Sequence, residues 1–362
     1  MQTLTTTEPA TDVITYRDAL TTSMRDALER HPHVIVLGQG VTDHKGTFGT
    51  LLGLAQEFEG RVIETPLAED ATTGVAIGAA LNGLYPIQIH IRVDFALLAM
   101  NQLVNLAAKY RYMFGGRFEV PMLVRAVIGR SWGQGAQHSQ SLQALFAHIP
   151  GLTVVMPSSA QAVADTYAHV IAHHKGPVIS LEHRLLYDVG FKAGGGVPGE
   201  PPAPPLTSRL ARQGRDVTII ATSIMVVEAL RAARHLQEQA GIECEVIDLH
   251  APSHPDRDLI VESVVKTGRL IVADTGWPGY GVCAEVCRII AQRCPAVLKA
   301  PVVSIALPMV PCPTAAALED LFYPGLLDIV DRAAALVRGR ADHGVPPPEG
   351  ALRLGTSFKG PF

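Results

Sequence analysis

Short apolar runs alternate with longer amphipathic segments along most of this chain. In the first half the apolar runs have the length and composition of buried strands, and each is followed by a loop and a helix-like segment. Predicted strands cover residues 34–37, 87–91, 122–127, 153–156 and 178–181, and predicted helices cover 95–110 and 160–173, the latter capped by Ser159. Repeated units of this kind predict a parallel sheet covered on both faces, whose ligands bind beyond the carboxyl ends of the strands.

A second α/β pattern follows a segment with three consecutive glycines and five prolines. Its predicted strands cover 216–221, 244–249 and 270–273, and its predicted helices cover 225–240 and 284–291. The fold class is therefore α/β with two domains, as the length of 362 residues also suggests. The predicted divisions are a flexible N-terminus (1–13), a first domain (14–193), a Gly/Pro-rich linker (194–212), a second domain (213–340) and an extended tail (341–362).

Glu69 is the first candidate for chemistry. It follows strand-like residues 61–64 and precedes a helix-like run of small residues, so it lies at a passage from strand to helix. Its neighbours Leu67 and Ala68 are apolar, and a carboxylate in such surroundings can hold or share a proton near neutral pH. The alternative is an ordinary acidic residue at a helix N-terminus.

Composition and charge argue against several classes of function. The net charge is −4 and no basic run occurs, so nucleic-acid and membrane-surface binding are not expected. No apolar run reaches the roughly 18 residues of a membrane helix, and residues 1–15 lack a signal-peptide pattern, which predicts a cytoplasmic protein. The content of 18% charged and 48% hydrophobic residues suggests that a partner chain covers some of the surface.

The five cysteines predict reduced thiols and no metal site. All lie in the second half of the chain, and their number is odd. Cys283 and Cys287 are one helical turn apart, but no further cysteine or histidine pair completes a ligand set. Packing thiols are therefore expected at both positions.

Several short strings occur in a fixed order along the chain. They are Thr65-Pro66-Leu67-Ala68-Glu69, Gly74-x-Ala76-x-Gly78-Ala79-Ala80, Asp94-Phe95, Asn105-x-Ala107-Ala108-Lys109, Tyr112-Met113-x-Gly115-Gly116, Gln137-His138-Ser139-Gln140-Ser141, Pro150-Gly151-Leu152-x-Val154-Val155-x-Pro157, Val246-Ile247-Asp248-Leu249 and Lys266-Thr267-Gly268-Arg269-Leu270. Together they resemble the β subunit of thiamine-diphosphate-dependent 2-oxo acid dehydrogenases of the pyruvate, branched-chain and acetoin types, in the transketolase-like superfamily. The resemblance covers roughly residues 14–338.

The resemblance implies a pyrimidine-binding domain followed by a transketolase C-terminal-like domain. The diphosphate- and Mg²⁺-binding signature of thiamine enzymes, Gly-Asp-Gly followed by Asn, is absent, and Gly38-Gln39-Gly40 lacks the acidic ligand. The family pattern then implies that this chain holds the aminopyrimidine half of thiamine diphosphate. A separate α subunit would hold the diphosphate and Mg²⁺, in an α2β2 heterotetramer, and this chain alone would be inactive.

Four residues match cofactor or catalytic positions of that family. Glu69 matches the glutamate that hydrogen-bonds a pyrimidine ring nitrogen, and Phe95 matches the aromatic ring against which the aminopyrimidine packs. Leu67 would line the same pocket, although a phenylalanine or leucine is also a common core residue. His138 matches a histidine suited to proton transfer near neutrality, whereas a lone histidine is more often a surface or core group.

The chain departs from the family at three places. Gln39 stands where many relatives carry glutamate, and His90 and Arg92 stand where pyruvate-type relatives have uncharged residues. We expect Arg92, with His90 nearby, to face the substrate entrance and bind an anionic group of the substrate. A solvated or inter-subunit salt bridge is the alternative for Arg92. The loop 274–278 also differs, which leaves docking of an acyl carrier open.

Three functions remain possible at this stage. The first is the β subunit of a 2-oxo acid dehydrogenase that decarboxylates its small-molecule substrate and passes the acyl group to a lipoyl carrier, with a lipoyl acyltransferase as a further partner. The second is a split transketolase-like or acyloin-forming thiamine enzyme that transfers an activated aldehyde to a carbonyl acceptor. The third is a catalytically silent assembly subunit, against which Glu69, Phe95 and His138 count. Because the substrate pocket would be shared with the α subunit, the sequence does not name the 2-oxo acid.

Overall fold

The computed structural model describes residues 13–130, 133–192 and 205–348. The first unit holds eight strands, namely β1 (Val13–Thr15), β2 (Val34–Gly38), β3 (Val62–Glu64), β4 (Tyr85–His90), β5 (Met122–Ile128), β6 (Thr153–Val155), β7 (Pro177–His183) and β8 (Gly190–Lys192). Six of them form a parallel sheet in the order β3-β2-β4-β5-β7-β6. The short strands β1 and β8 pair antiparallel beside it. The predicted parallel sheet is confirmed.

Helices cover both faces of this sheet. They are α1 (Tyr16–Arg30), the single turns α2 (Gly46–Gly49) and α3 (Leu54–Glu57), α4 (Glu69–Leu81), α5 (Val93–Ala96), α6 (Tyr110–Met113), α7 (Gln143–Ala147) and α8 (Ala160–His173). Alternate strand residues point to opposite faces, so that Leu123 joins the core under α1 and α8, whereas Val124 joins the core under α4. Ser159 caps α8 as predicted, since its side chain accepts a hydrogen bond from Ala162 N.

The second unit has a mixed five-stranded sheet. Its strands are β9 (Arg209–Arg212), β10 (Val217–Ala221), β11 (Cys244–Asp248), β12 (Leu270–Ala273) and β13 (Val303–Ile305), in the order β13-β12-β10-β11-β9. Only β9 runs antiparallel to its neighbour. Its helices are α9 (Ile224–Ala240), α10 (Arg257–Thr267), α11 (Val282–Arg293), α12 (Ala316–Phe322) and α13 (Leu326–Arg338). One apolar core runs through both units.

The helix predicted over 95–110 is not one α-helix. After α5 the chain makes a 3₁₀ turn (Leu97–Ala99) and a π-helix (Asn101–Ala107) before α6. Ala108 N donates to Leu103 O at 3.0 Å, which is the wide hydrogen-bond spacing of a π turn. An apolar pattern indicates a helical segment but does not reveal this change in winding.

The linker predicted over 194–212 is wrong at its C-terminal end. Residues 193–204 lie outside the described residues, but Arg209–Arg212 forms the edge strand β9. The prolines end at Pro205, so nothing in the following residues prevents pairing with β11. Of the predicted flexible N-terminus (1–13), residues 1–12 lie outside the described residues, whereas Val13 begins β1. The part of the predicted tail beyond residue 348 also lies outside the described residues. Residues 341–348 have no helix or strand and contact the second unit, where His235 Nε2 lies 2.8 Å from Pro346 O.

Candidate active site

Four neighbouring strands end at the same edge of the first sheet, and the candidate residues follow them. Gln39 follows β2, and Glu69 begins α4 after β3. Residues 92–95 follow β4, and residues 129–130 and 133–140, which we call the histidine loop, follow β5. The parallel arrangement therefore brings these segments to one end of the sheet.

Glu69 is the first residue of α4 but does not cap it. The N-cap position is Ala68, and no side chain makes a capping bond there. The half-buried Glu69 carboxylate instead accepts a hydrogen bond from Gln39 Nε2 at 3.3 Å. Leu67, two residues earlier, leaves 82% of its surface exposed. Glu69 therefore lies in the first turn of a helix, as the alternative interpretation expects, but its side chain does not cap that helix.

His90 ends β4 and lies inside the protein. It is only 6% exposed, and its Nε2 atom has no hydrogen-bond partner among the described residues. Burial lowers the pKa of His90 to about 4, and the nearby Glu69 carboxylate opposes this shift only in part. The imidazole is therefore neutral at physiological pH.

Phe95 and His138 contact each other across the site. Their ring centroids are 5.1 Å apart and the planes meet at 70°, an edge-to-face arrangement. Phe95 remains 38% exposed and His138 is half-buried. An aromatic surface and an imidazole therefore lie side by side where a ligand can reach them.

Residues near the end of β4 hold the histidine loop. Arg92 Nη1 donates to Gly129 O at 2.8 Å, and Arg92 Nη2 donates to Gln134 Oε1. At the other end of the loop, Asp94 Oδ1 accepts from Gln140 N at 3.3 Å and from Gln140 Nε2 at 2.9 Å.

The second unit contacts the same loop. Tyr323 donates its hydroxyl to Ser139 O at 3.4 Å. Arg130 forms ion pairs with Asp320 at 3.1 Å and Glu319 at 3.7 Å, and its guanidinium lies over the Tyr323 ring. The position of His138 therefore depends on residues from both units.

No metal site is formed by this chain within the ranges described above. Those residues contain no group of three or more His, Cys, Asp or Glu side chains that could hold an ion. The five cysteines are free thiols, in agreement with the sequence prediction. None of the helices between residues 13 and 348 that the structure describes is long and apolar enough to cross a membrane.

Comparisons with known proteins identify the family. Residues 12–189 match the family model "Transketolase, pyrimidine binding domain", and residues 207–329 match "Transketolase, C-terminal domain". The chain is 38% identical over 333 residues to "Pyruvate dehydrogenase E1 component subunit beta" of Rhizobium meliloti, covering 91% of this chain and 71% of that protein. It belongs to the family of 2-oxo acid dehydrogenase β subunits.

Other members of this β-subunit family carry different names. The chain is 37% identical over 332 residues to "Acetoin:2,6-dichlorophenolindophenol oxidoreductase subunit beta" of Cupriavidus necator, covering 89% of this chain and 96% of that protein. Among solved structures, "Split gene transketolase, inactive beta4 tetramer" matches with a TM-score of 0.71. It shares 23% sequence identity and covers 90% of this chain and 99% of that one, so it supports the fold alone.

The predicted entrance position of Arg92 in this β subunit is wrong. Arg92 is 2% exposed, and its guanidinium is committed to Gly129 and Gln134. The solvated salt bridge considered as its alternative is also excluded by this burial. The histidine loop folds back over the end of β4 and covers the Arg92 side chain. The sequence of residues 88–94 alone does not predict this cover.

Several site residues were not predicted from the sequence. Asp94 and Gln140 lie within the family strings, but they are 46 positions apart and only the fold pairs them. Tyr323 contacts the histidine loop from the second unit, and its ring lies against Arg130 of the loop; no string includes either residue. By contrast, Glu69, Phe95, His138 and Leu67 all follow strands that end at the predicted edge.

Proposed function

We propose that this chain, with a separate α subunit, forms a thiamine-diphosphate-dependent 2-oxo acid dehydrogenase that passes an acyl group to a lipoyl carrier. The observation that carries the proposal is an incomplete pocket. A half-buried carboxylate, an exposed aromatic ring and an exposed leucine lie at one end of a parallel sheet, at Glu69, Phe95 and Leu67. Apolar side chains left open beside a carboxylate fit a site that a second chain completes.

The residues present fit one half of the cofactor. A protonatable heterocycle needs a carboxylate for its ring nitrogen and apolar or aromatic groups for its faces, and Glu69, Phe95 and Leu67 supply these groups. A diphosphate bound through Mg²⁺ needs hard oxygen ligands, and the described residues form no such cluster. The proposal therefore assigns Mg²⁺ and the diphosphate to the α subunit, in an α2β2 heterotetramer.

Thiamine diphosphate, when bound, supplies the nucleophilic carbon and the electron sink that decarboxylation of a 2-oxo acid requires. Glu69 would hold and share a proton at the pyrimidine ring nitrogen. Gln39 donates to Glu69 Oε1 and thereby fixes the orientation of the carboxylate. His138 would move a proton at its half-buried imidazole, and Phe95 limits where that ring can lie.

A split transketolase-like or acyloin-forming enzyme remains the second candidate. The similarity to a β subunit named for acetoin oxidoreduction supports it, because acetoin is an acyloin. Both candidates use the same half-pocket and differ in the acceptor of the activated group.

The test is reconstitution with the α subunit, thiamine diphosphate and Mg²⁺. We expect 2-oxo acid decarboxylation that reduces a dye acceptor and acylates a lipoyl domain, with no activity for either subunit alone. Condensation with aldehydes in place of lipoyl acylation would favour the second candidate. Failure of the complex to decarboxylate any 2-oxo acid would overturn the proposal.

A further inference from the structure

The histidine loop is held from both ends by one short segment of the chain. Arg92 bonds to Gly129 O and Gln134 Oε1, and Asp94 bonds to the backbone and side chain of Gln140. These contacts join positions that are 37 to 46 residues apart in sequence. The segment 92–94 therefore fixes where the histidine loop begins, turns and ends.

Burial of the charged Arg92 side chain at this position is energetically unfavourable. Its guanidinium is 2% exposed, and none of the ion pairs formed between described residues includes it. Burial lowers the pKa of Arg92 to about 10, an effect that the Asp94 carboxylate opposes, so the group stays charged near neutrality. The free-energy cost of burying this charge is offset by the hydrogen bonds that the planar guanidinium makes in a fixed geometry.

The first residue of the histidine loop, Gly129, has a restricted backbone conformation. Gly129 has a φ of +73°, in the left-handed region, and a Cβ atom at this position would overlap the imidazole of His183. The Gly129 carbonyl accepts the hydrogen bond from Arg92 Nη1. The path of the chain toward His138 begins from this contact.

The same segment also fixes the partner of His138. Arg92 is the N-cap residue of α5 (Val93–Ala96), and this helical turn carries Phe95. Arg92 therefore acts on both rings of the edge-to-face contact. It begins the turn that carries Phe95, and it holds the loop that carries His138. A change at Arg92 alters the relative position of these two rings.

We propose that Arg92 is a positioning residue that holds His138 against Phe95 through the histidine loop, and that it does not bind substrate. The inference rests on the proposed function, because it gives His138 its role in turnover. It assigns to Arg92 a task that acts through the position of His138 relative to Phe95.

The test uses the reconstituted complex with Arg92→Gln and Arg92→Lys. We expect kcat for the 2-oxo acid to fall at least tenfold in Arg92→Gln while KM changes less than twofold. Arg92→Lys should recover part of the loss, because an ammonium can reach one of the two acceptors. In a His138→Ala background, Arg92→Gln should cause no further loss.

Arg61→Gln is the matched control. Arg61, like Arg92, donates from both Nη atoms to carbonyl oxygens of the first unit, here the backbone oxygens of His31 and Leu28 away from the site. Its loss should lower stability and leave kcat unchanged. A rise in KM at constant kcat for Arg92→Gln, or an additive loss in the His138→Ala background, would overturn the positioning role.

A second measurement separates this inference from the proposed function. Hydrogen–deuterium exchange of residues 133–140 in the complex should accelerate about tenfold in Arg92→Gln and not in Arg61→Gln. Faster exchange in a complex without thiamine-dependent turnover would support the positioning of the loop and refute the proposed function. Unchanged exchange in Arg92→Gln would refute the positioning role and leave the proposed function intact.

Discussion

At the scale of single residues, Glu69 has two polar neighbours of different kinds. Gln39 donates a hydrogen bond to its carboxylate, and His90 lies close enough for that carboxylate to act on the pKa of the imidazole. The amide donor orients the carboxylate without adding a charge beside it. The glutamine at position 39, a departure from the family in sequence, thus has a direct physical consequence in the fold.

The first prediction replaces this donor. Gln39→Ala should lower kcat about fivefold, because the Glu69 carboxylate loses the hydrogen-bond donor that orients it. Turnover of the reconstituted complex measures the effect. Gln102→Ala is the control, since Gln102 donates in the same way to Asp70 on the surface, at 3.1 Å. Equal effects of the two substitutions would contradict the assignment.

The second prediction concerns stability in acid. The pKa of His90 is about 4 in the folded protein, below its usual value of about 6.5. Between these values the unfolded chain binds a proton that the folded chain does not, so stability falls as the pH drops from about 6.5 to about 4. His183, with a pKa lowered to about 3 by burial, adds to the same loss.

Urea unfolding at pH 7 and pH 5 tests this dependence. The midpoint should drop less between the two pH values in His90→Gln than in the unsubstituted protein, because one of the buried imidazoles is gone. His44→Gln, at an exposed position, should leave the drop unchanged. A drop that is the same in all three proteins would show that His90 is not buried in its neutral form.

At the scale of elements, the segment 92–95 and the histidine loop behave as one unit. The loop starts at Gly129, whose left-handed φ of +73° and close approach to His183 exclude a side chain. This backbone constraint supports the hydrogen bond from Arg92.

The third prediction is that Gly129→Ala lowers both stability and turnover. A side chain there adds about 1–2 kcal/mol of backbone strain and must also displace His183. Gly53→Ala is the control, because Gly53 has a φ of +80° but open space around its Cβ position. Thermal unfolding should show a larger decrease in Tm for Gly129→Ala, accompanied by lower kcat. Equal decreases in Tm with unchanged kcat would contradict the constraint.

The sequence predicted the elements better than the contacts between them. The strands, the cap at Ser159 and the positions of Glu69, Phe95 and His138 follow from periodicity and from short strings. The direction of Arg92 could not be predicted, because it depends on a loop about 40 residues later that folds back over the strand end. The edge strand Arg209–Arg212 was missed because proline-rich residues before it indicated a linker.

At the scale of the whole molecule, the second unit takes part in the site. It shares an apolar core with the first unit, and Glu319, Asp320 and Tyr323 contact the histidine loop. The ring of Tyr323 lies under Arg130, and its hydroxyl reaches Ser139 O. The second unit therefore helps to hold the residue next to His138.

The fourth prediction tests this connection between the units. Tyr323→Phe removes a buried hydroxyl that contacts Ser139 O and Cys312 Sγ, and it should lower kcat about two- to fivefold, as expected for one weak hydrogen bond. Steady-state kinetics of the reconstituted complex measures it. Tyr280→Phe, at a fully exposed tyrosine, is the control. Unchanged kcat in Tyr323→Phe would mean that the second unit does not influence the site.

The most direct test of the whole account is turnover by Glu69→Gln in the α–β complex with saturating thiamine diphosphate, beside Asp70→Asn. If Glu69 shares a proton with the cofactor, Glu69→Gln should lower kcat at least 100-fold (about 2.7 kcal/mol) while the complex still assembles. Asp70→Asn, which removes the adjacent exposed carboxylate, should keep near-normal turnover. Near-normal kcat in Glu69→Gln would contradict the account.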